Sequence, residues 1–244
     1  MPEQITTLAI LAGGLATRLR PITEKIPKVL VPVAGEPFLA HQLRLVRGYG
    51  FQHAVICAGY LAEQIQEFVG DGSRFDMRVE FSLDGDTLLG TAGALKRALP
   101  LLGERFLTIY GDSYLPCDYL AAANGFAASG KLGLMSVYRN RGAWDTSNVE
   151  YRDGQIVAYD KRHQTPRMEY IDYGLGGFRR EAFDLVPEAQ PYDLATLYQQ
   201  LLARQELAAW ESPVRFYEIG SLPGLQELDQ LLSPPASAGL KGLS

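Results

Sequence analysis

Four short apolar stretches, at residues 6–11, 53–58, 77–83 and 105–111, alternate along the first half of the chain with three segments of helical periodicity. Those segments fall at 37–48, 61–69 and 91–99, and the first carries Leu39, Leu43 and Val46 at the three- and four-residue spacing of one helix face. Strands separated by helices of this length cannot pair as hairpins, so the crossovers make neighbouring strands parallel. The pattern predicts an α/β fold with a doubly wound, mostly parallel, Rossmann-like central sheet. Sheets of this kind bind ligands beyond the carboxyl ends of their strands, where turns run into helix starts. After about residue 130 the rhythm changes. Strands are expected at 132–138, 147–151, 155–160 and 171–178, joined by short turns such as Asp153-Gly154, with helices at 180–186, 192–205 and 222–232. The second half is expected to complete the sheet and add a small β-rich region. One domain over 1–232 follows, with halves at 1–130 and 131–232, and 233–244 reads as a frayed tail.

The first strand candidate runs into Gly13-Gly14 and then into Arg18, Arg20, Lys25 and Lys28, with Glu24 the single acid among them. Consecutive glycines let backbone N–H groups converge on an anion, and the cations that follow would hold a polyphosphate. The chain as a whole carries a formal net charge of -5. A protein this acidic does not attract nucleic acid non-specifically, so a concentrated basic patch implies a small, multiply charged ligand. Neither G-x-x-x-x-G-K-[ST] nor G-x-G-x-x-G is present, which weakens P-loop and dinucleotide readings. Cys57 and Cys117 lack metal-ligand spacing and suit a reducing compartment, and the three histidines share no motif. The N-terminus lacks a basic signal-peptide region and no apolar run approaches bilayer length, so the expectation is a cytoplasmic protein without membrane partners.

Two acids sit where strands end. Asp112 follows the apolar run Arg105–Tyr110 in the triplet Gly-Asp-Ser, and Glu218 lies in Phe-Tyr-Glu-Ile-Gly-Ser. Two carboxylates meeting a triphosphate would repel it unless a divalent cation lay between them, and Mg²⁺ suits one or two carboxylates with phosphate oxygens and water. Leu89-Gly-Thr-Ala-Gly-Ala-Leu95 opens a helix with small residues, letting a planar ring approach backbone amides at the positive end of the helix dipole. Asp172 and Gly174 lie in Asp-Tyr-Gly, where a carboxylate can accept two hydroxyl hydrogen bonds, as sugar recognition requires. Asn148 could do the same.

Gly13 to Lys28 resembles the signature of the sugar-1-phosphate nucleotidyltransferases, G-G-x-G-T-R-L-x-P-x-T-x-x-x-P-K, with Ala16 in place of the third glycine. The resemblance runs from Leu8 to about Leu232. It implies transfer from a nucleoside triphosphate to a sugar 1-phosphate with release of pyrophosphate. It also makes 1–130 the nucleotide-binding half and 131–232 the acceptor-binding half. By resemblance, Leu11, Ala12, Gly13, Gly14, Thr17, Gly90, Thr91 and Ala92 bind the nucleotide, and Arg18 and Lys28 are catalytic. Asp112 and Glu218 hold Mg²⁺, glutamate replacing the aspartate of D-x-G-[ST]. Asn148, Asp160, Lys161, Asp172 and Gly174 bind the acceptor, although the proline that usually follows the E-K pair is Arg162 here. The compact length resembles short bacterial members and implies GTP with a heptose or hexose 1-phosphate. Three alternatives stand beside that: a UTP-dependent N-acetylmuramate-1-phosphate uridylyltransferase, a phosphocholine cytidylyltransferase, and a silent nucleotide-sugar-binding subunit. An aromatic box from Trp144, Tyr159, Tyr170 and Tyr173 would favour phosphocholine.

Overall fold

A computed structural model of the chain describes residues 4–14, 17–85, 87–188 and 190–234. Ala16 and most of the tail lie outside the described residues. Strand β1 (Thr7–Ala12) is followed by a short ladder of β2 (Pro32–Val33) and β3 (Glu36–Pro37), then α1 (Phe38–Gly48), β4 (His53–Ala58), α2 (Ala62–Val69) and β5 (Arg78–Leu83). Next come α3 (Gly90–Leu102), β6 (Arg105–Tyr110), the two-residue β7 (Ser113–Tyr114) and α4 (Tyr119–Ser129). The second half holds β8 (Gly133–Tyr138), β9 (Val149–Arg152), β10 (Gln155–Tyr159), β11 (Ile171–Arg179), α5 (Leu194–Ala203), β12 (Leu207–Glu211), β13 (Tyr217–Glu218) and α6 (Leu222–Leu232).

Seven strands form one sheet in the order β12-β8-β11-β6-β1-β4-β5. All neighbours pair in parallel except β11, which runs antiparallel to both β6 and β8. The expected doubly wound sheet is therefore present, with one reversed strand. The two-residue side-chain period of β1 and β4 assigns the layers. Leu8, Ile10, Ala54 and Ile56 face α1, α2 and α4, while Ala9, Val55 and Cys57 face α3 and α5. Parallel central strands are covered on both faces, which is why β1 and β4 read as continuous apolar runs. A third, smaller cluster of Val33, Phe38, Ile219 and Leu228 seats α6 on the β2–β3 ladder.

One expectation needs correction. Residues 180–186 form a 3-10 turn (Arg180–Leu185) and not an α-helix. Helix α4 and edge strand β12 were not anticipated at all. The expected β-rich addition is an antiparallel hairpin, β9 with β10, whose register slips between Ile156 and Ala158.

Candidate active site

The carboxyl ends of β1, β5 and β6 open into one cavity of about 270 Å³. Leu11, Ala12, Gly13 and Gly14 line it from β1, Gly90 and Thr91 from the start of α3, and Lys28 and Asp112 close one side. The glycine of Gly-Asp-Ser is explained by packing. The Gly111 N–H donates to the Leu11 carbonyl at 2.9 Å. A Cβ at Gly111 would strike that same oxygen and Val29 Cγ1, so the ends of β1 and β6 can approach only with glycine there. That contact brings the first motif beside Asp112. Lys28, on a 3-10 turn (Lys28–Leu30), donates to Asp112 Oδ2 at 2.6 Å. Arg18 is exposed on the 3-10 turn Thr17–Leu19, and of Thr17 only the backbone is described.

The start of α3 differs from a free anion cradle. The Ala92 and Gly93 N–H groups both donate to the Tyr192 carbonyl, at 2.9 and 3.2 Å. Thr91 Oγ1 donates to Asp193 Oδ1 and accepts from the Leu194 N–H at 2.8 Å. Gly90 has φ +69°, and a Cβ there would meet the Tyr192 backbone. The small residues of this segment let the 190–194 loop close against the helix start. Gly90 and Thr91 still face the cavity, whereas Ala92 is buried behind them and does not line it.

A second cluster lies across Tyr110. A register shift in β11 between Asp172 and Gly176 re-aims Asp172 and Gly174 inward. The Asp172 carboxylate accepts from the Gly174 N–H at 3.1 Å and from the Tyr159 hydroxyl at 3.3 Å, with Lys161 Nζ at 3.6 Å. Asn148 Oδ1 accepts from the Asp172 N–H at 3.0 Å, so Asn148 orients this aspartate. Lys161 Nζ stands 5.7 Å from the centroid of the Tyr110 ring, and Tyr110 also lines the first cavity. Burial, and next the charge of Asp172, push the Tyr110 hydroxyl far above the ordinary phenol range. Asp160 is not part of the cluster. Its carboxylate accepts from the Arg162 and His163 N–H groups at 2.7 and 3.0 Å, and these bonds hold it below the usual carboxylate range. It builds the turn after β10.

Tyr110 and Asp84 are cavity residues that the motif reading does not reach. Tyr110 was passed over as the last strand residue before Gly-Asp-Ser. Asp84 follows the end of β5 and lines the cavity while only 6% exposed. Burial raises its carboxyl, with the Leu89 amide and Arg97 pulling it back. The signal that could have found it is the same one that found Asp112: an acid directly after a parallel strand.

Among the described residues, no group of three or more His, Cys, Asp or Glu side chains could hold a metal. A cation bound here by one or two carboxylates would complete its shell with water or ligand oxygens. Asp112 fits that arrangement: its carboxylate is partly exposed, with one oxygen on Lys28 and the other 3.4 Å from the Ser113 hydroxyl. Glu218 does not fit as placed. Its Oε1 accepts from the Ser221 hydroxyl at 2.7 Å and its Oε2 from the Gly220 N–H. The four rings of the supposed aromatic box are each packed against other partners. Tyr173 packs with Tyr138 and Phe216, Tyr159 with Tyr198, and Tyr170 with Tyr151, while Arg215 lies 3.4 Å over Trp144.

The chain belongs to the nucleotidyl transferase family, whose sequence model matches residues 8–148. It is 28% identical over 208 residues to UTP–glucose-1-phosphate uridylyltransferase of Synechocystis sp., covering 76% of this chain but 52% of that protein. It is 28% identical over 228 residues to N-acetylmuramate alpha-1-phosphate uridylyltransferase of Neisseria meningitidis, covering 91% of this chain and 96% of that one. The chain thus spans about half the length of the first relative and nearly all of the second. Its fold matches a putative glucose-1-phosphate thymidylyltransferase from Bacillus anthracis with TM-score 0.82 and 21% identity, over 96% and 97% of the two chains. The chain is thus a nucleotidyl transferase by family, and it shares its fold with the Bacillus anthracis structure.

Proposed function

We propose that the protein joins a nucleoside monophosphate unit from an NTP to a sugar 1-phosphate, releasing pyrophosphate. The observation that carries this reading is Tyr110, which joins the phosphate-facing cavity of Lys28 and Asp112 to the cluster of Lys161 and Asp172. An acceptor phosphate held by Lys161 would lie beside the α-phosphate of a nucleotide in the cavity, its sugar hydroxyls within reach of Asp172.

The attacking group is a phosphate oxygen, ionised at neutral pH, so no general base is required. The demands are alignment and charge cancellation, because a dianion must approach a polyanion in line with its leaving group. Lys28 steadies charge on the α-phosphate, Lys161 holds the acceptor phosphate, and exposed Arg18 clamps the departing pyrophosphate with its planar donor fork. Mg²⁺ held by Asp112 would supply charge neutralisation across the phosphate oxygens. Gly13 and Gly14 give the nucleotide close backbone approach.

Two substrate pairs are distinguished by observation. The sequence resemblance points to GTP with a heptose or hexose 1-phosphate. The end-to-end match with the Neisseria protein favours UTP with N-acetylmuramate 1-phosphate. Phosphocholine loses support because the aromatic rings are packed against other partners. Pyrophosphate release from purified protein with Mg²⁺, across five nucleotides and several acceptor phosphates, tests the reading. One active pair confirms the reaction class and fixes base and acceptor together. Silence from folded protein that still binds nucleotide rejects every acceptor in the matrix and makes the silent subunit the favoured reading.

A further inference from the structure

We propose that Glu218 is a positioning residue that locks the β13–α6 joint beneath Lys28 and Asp112, and that the cation rests on the Asp112 carboxylate without it. Both oxygens of Glu218 are committed, one to the Gly220 N–H and the other to the Ser221 hydroxyl. Ser221 in turn caps the eleven-residue α6 by accepting from the Gly224 N–H at 3.1 Å. The space is shaped to this side chain. A Cβ at Gly220 or at Gly224 would overlap the Glu218 carboxylate, so the two glycines form the cradle in which it lies. The longer reach of glutamate thus goes into folding back on the helix start.

The joint then sets the reactive groups. Strand β13 pairs with β7, Glu218 opposite Ser113, and the Ile219 N–H donates to the Asp112 carbonyl at 2.9 Å. The position a Gly220 Cβ would take is 3.0 Å from Lys28 Nζ, so the turn that Glu218 fixes also walls the lysine onto Asp112. Loosening this joint would let the Lys28–Asp112 pair drift without removing either charge.

The inference rests on the proposed reaction only in taking pyrophosphate as a ligand of the site. The test is Mn²⁺ binding to the full chain in the presence of pyrophosphate, followed by electron paramagnetic resonance, with Tm measured alongside. Glu218→Gln keeps the reach and one acceptor oxygen for the Gly220 N–H, and its NH2 can donate to the Ser221 hydroxyl oxygen in place of the bond Ser221 gave, but it loses the charge. A capping residue tolerates that change, so Mn²⁺ affinity should stay within about threefold of wild type and Tm should be unchanged; a direct ligand would not, since affinity follows ligand charge. Asp112→Asn should weaken binding by more than tenfold. Glu218→Ala should weaken it by about tenfold, as outer-shell changes do, and should lower Tm, with Gln restoring both. Loss of Mn²⁺ in Glu218→Gln comparable to that in Asp112→Asn overturns the assignment and leaves the proposed reaction standing. Absence of Mn²⁺ binding in the wild-type chain overturns the assignment and the cation step of the proposed reaction together.

Discussion

Asp112 and Lys28 are paired at 2.6 Å, yet Asp112 keeps a partly exposed carboxylate. The pair is half-buried, so desolvation offsets much of its attraction, and its arrangement serves the ligand. Asp112→Asn should therefore lower turnover by about 10²–10³ while circular dichroism and Tm stay near wild type. A variant that turns over normally would remove Asp112 from the mechanism. The cysteines show the opposite balance. Burial pushes the Cys57 and Cys117 thiols up to about 12 from an ordinary 9.0. The folded state thus holds a proton that the unfolded state releases above pH 9, so the stabilisation present below that value is lost as pH rises from about 9 to about 12. Denaturant midpoints measured from pH 8 to 11 should fall. Iodoacetamide at pH 8 should leave both thiols unmodified in the native protein and label both after unfolding. Native-state labelling of Cys57, which lines the cavity, would show that the pocket opens more than its burial allows.

Elements differ in how much of themselves they display in sequence. Helix α1 was legible because Leu39, Leu43 and Val46 mark one face and are all buried. Helix α4 was not, since Tyr-Leu-Ala-Ala-Ala-Asn-Gly-Phe-Ala-Ala-Ser is small and apolar nearly all round and shows no polar face to set a period. Strand β12, Leu-Ala-Ala-Trp-Glu, lacks β-branched residues and is a strand only because β8 pairs with it. The site follows the same rule. Asp112 and Lys28 belong to local motifs and could be read directly. That the amides of Ala92 and Gly93 are already taken by the Tyr192 carbonyl depends on a contact a hundred residues away. The start of α3 should accordingly be a structural joint. Gly90→Ala combines a φ of +69° with overlap of the Tyr192 backbone. It should cost about 2–4 kcal/mol, read as a Tm fall of roughly 2–4 °C per kcal/mol for a chain this size. Wild-type stability in that variant would mean that the 190–194 loop yields freely.

Across the whole molecule, α6, the last helix among the described residues, returns to the first third to finish the site. Helix α6 is seated by Leu228 and Ile219 on Val33 and Phe38, and the Ala34 N–H donates to Asp229 Oδ1 at 2.7 Å. This cluster is a satellite of the two main cores, joined to them through β13 and β7, and it carries Glu218. The family match ends at residue 148, so β13 and α6 lie outside the stretch that identifies the chain, while their seat on Val33 and Phe38 and the acid they support, Asp112, lie within it. A small cluster supporting one ladder should open locally before the sheet does. Leu228→Ala removes the buried anchor of α6 and should cost about 2–5 kcal/mol if α6 unfolds only with the body. If the cluster opens on its own, the cost appears instead as faster hydrogen exchange confined to β13 and α6. The prediction is the local outcome: amides of Ile219 and Leu225 lose protection in Leu228→Ala, while those of β1, β4 and β6 keep theirs. Uniform loss across the sheet would show that α6 is part of the global folding unit, and that disturbing the Glu218 joint disturbs every strand that builds the cavity.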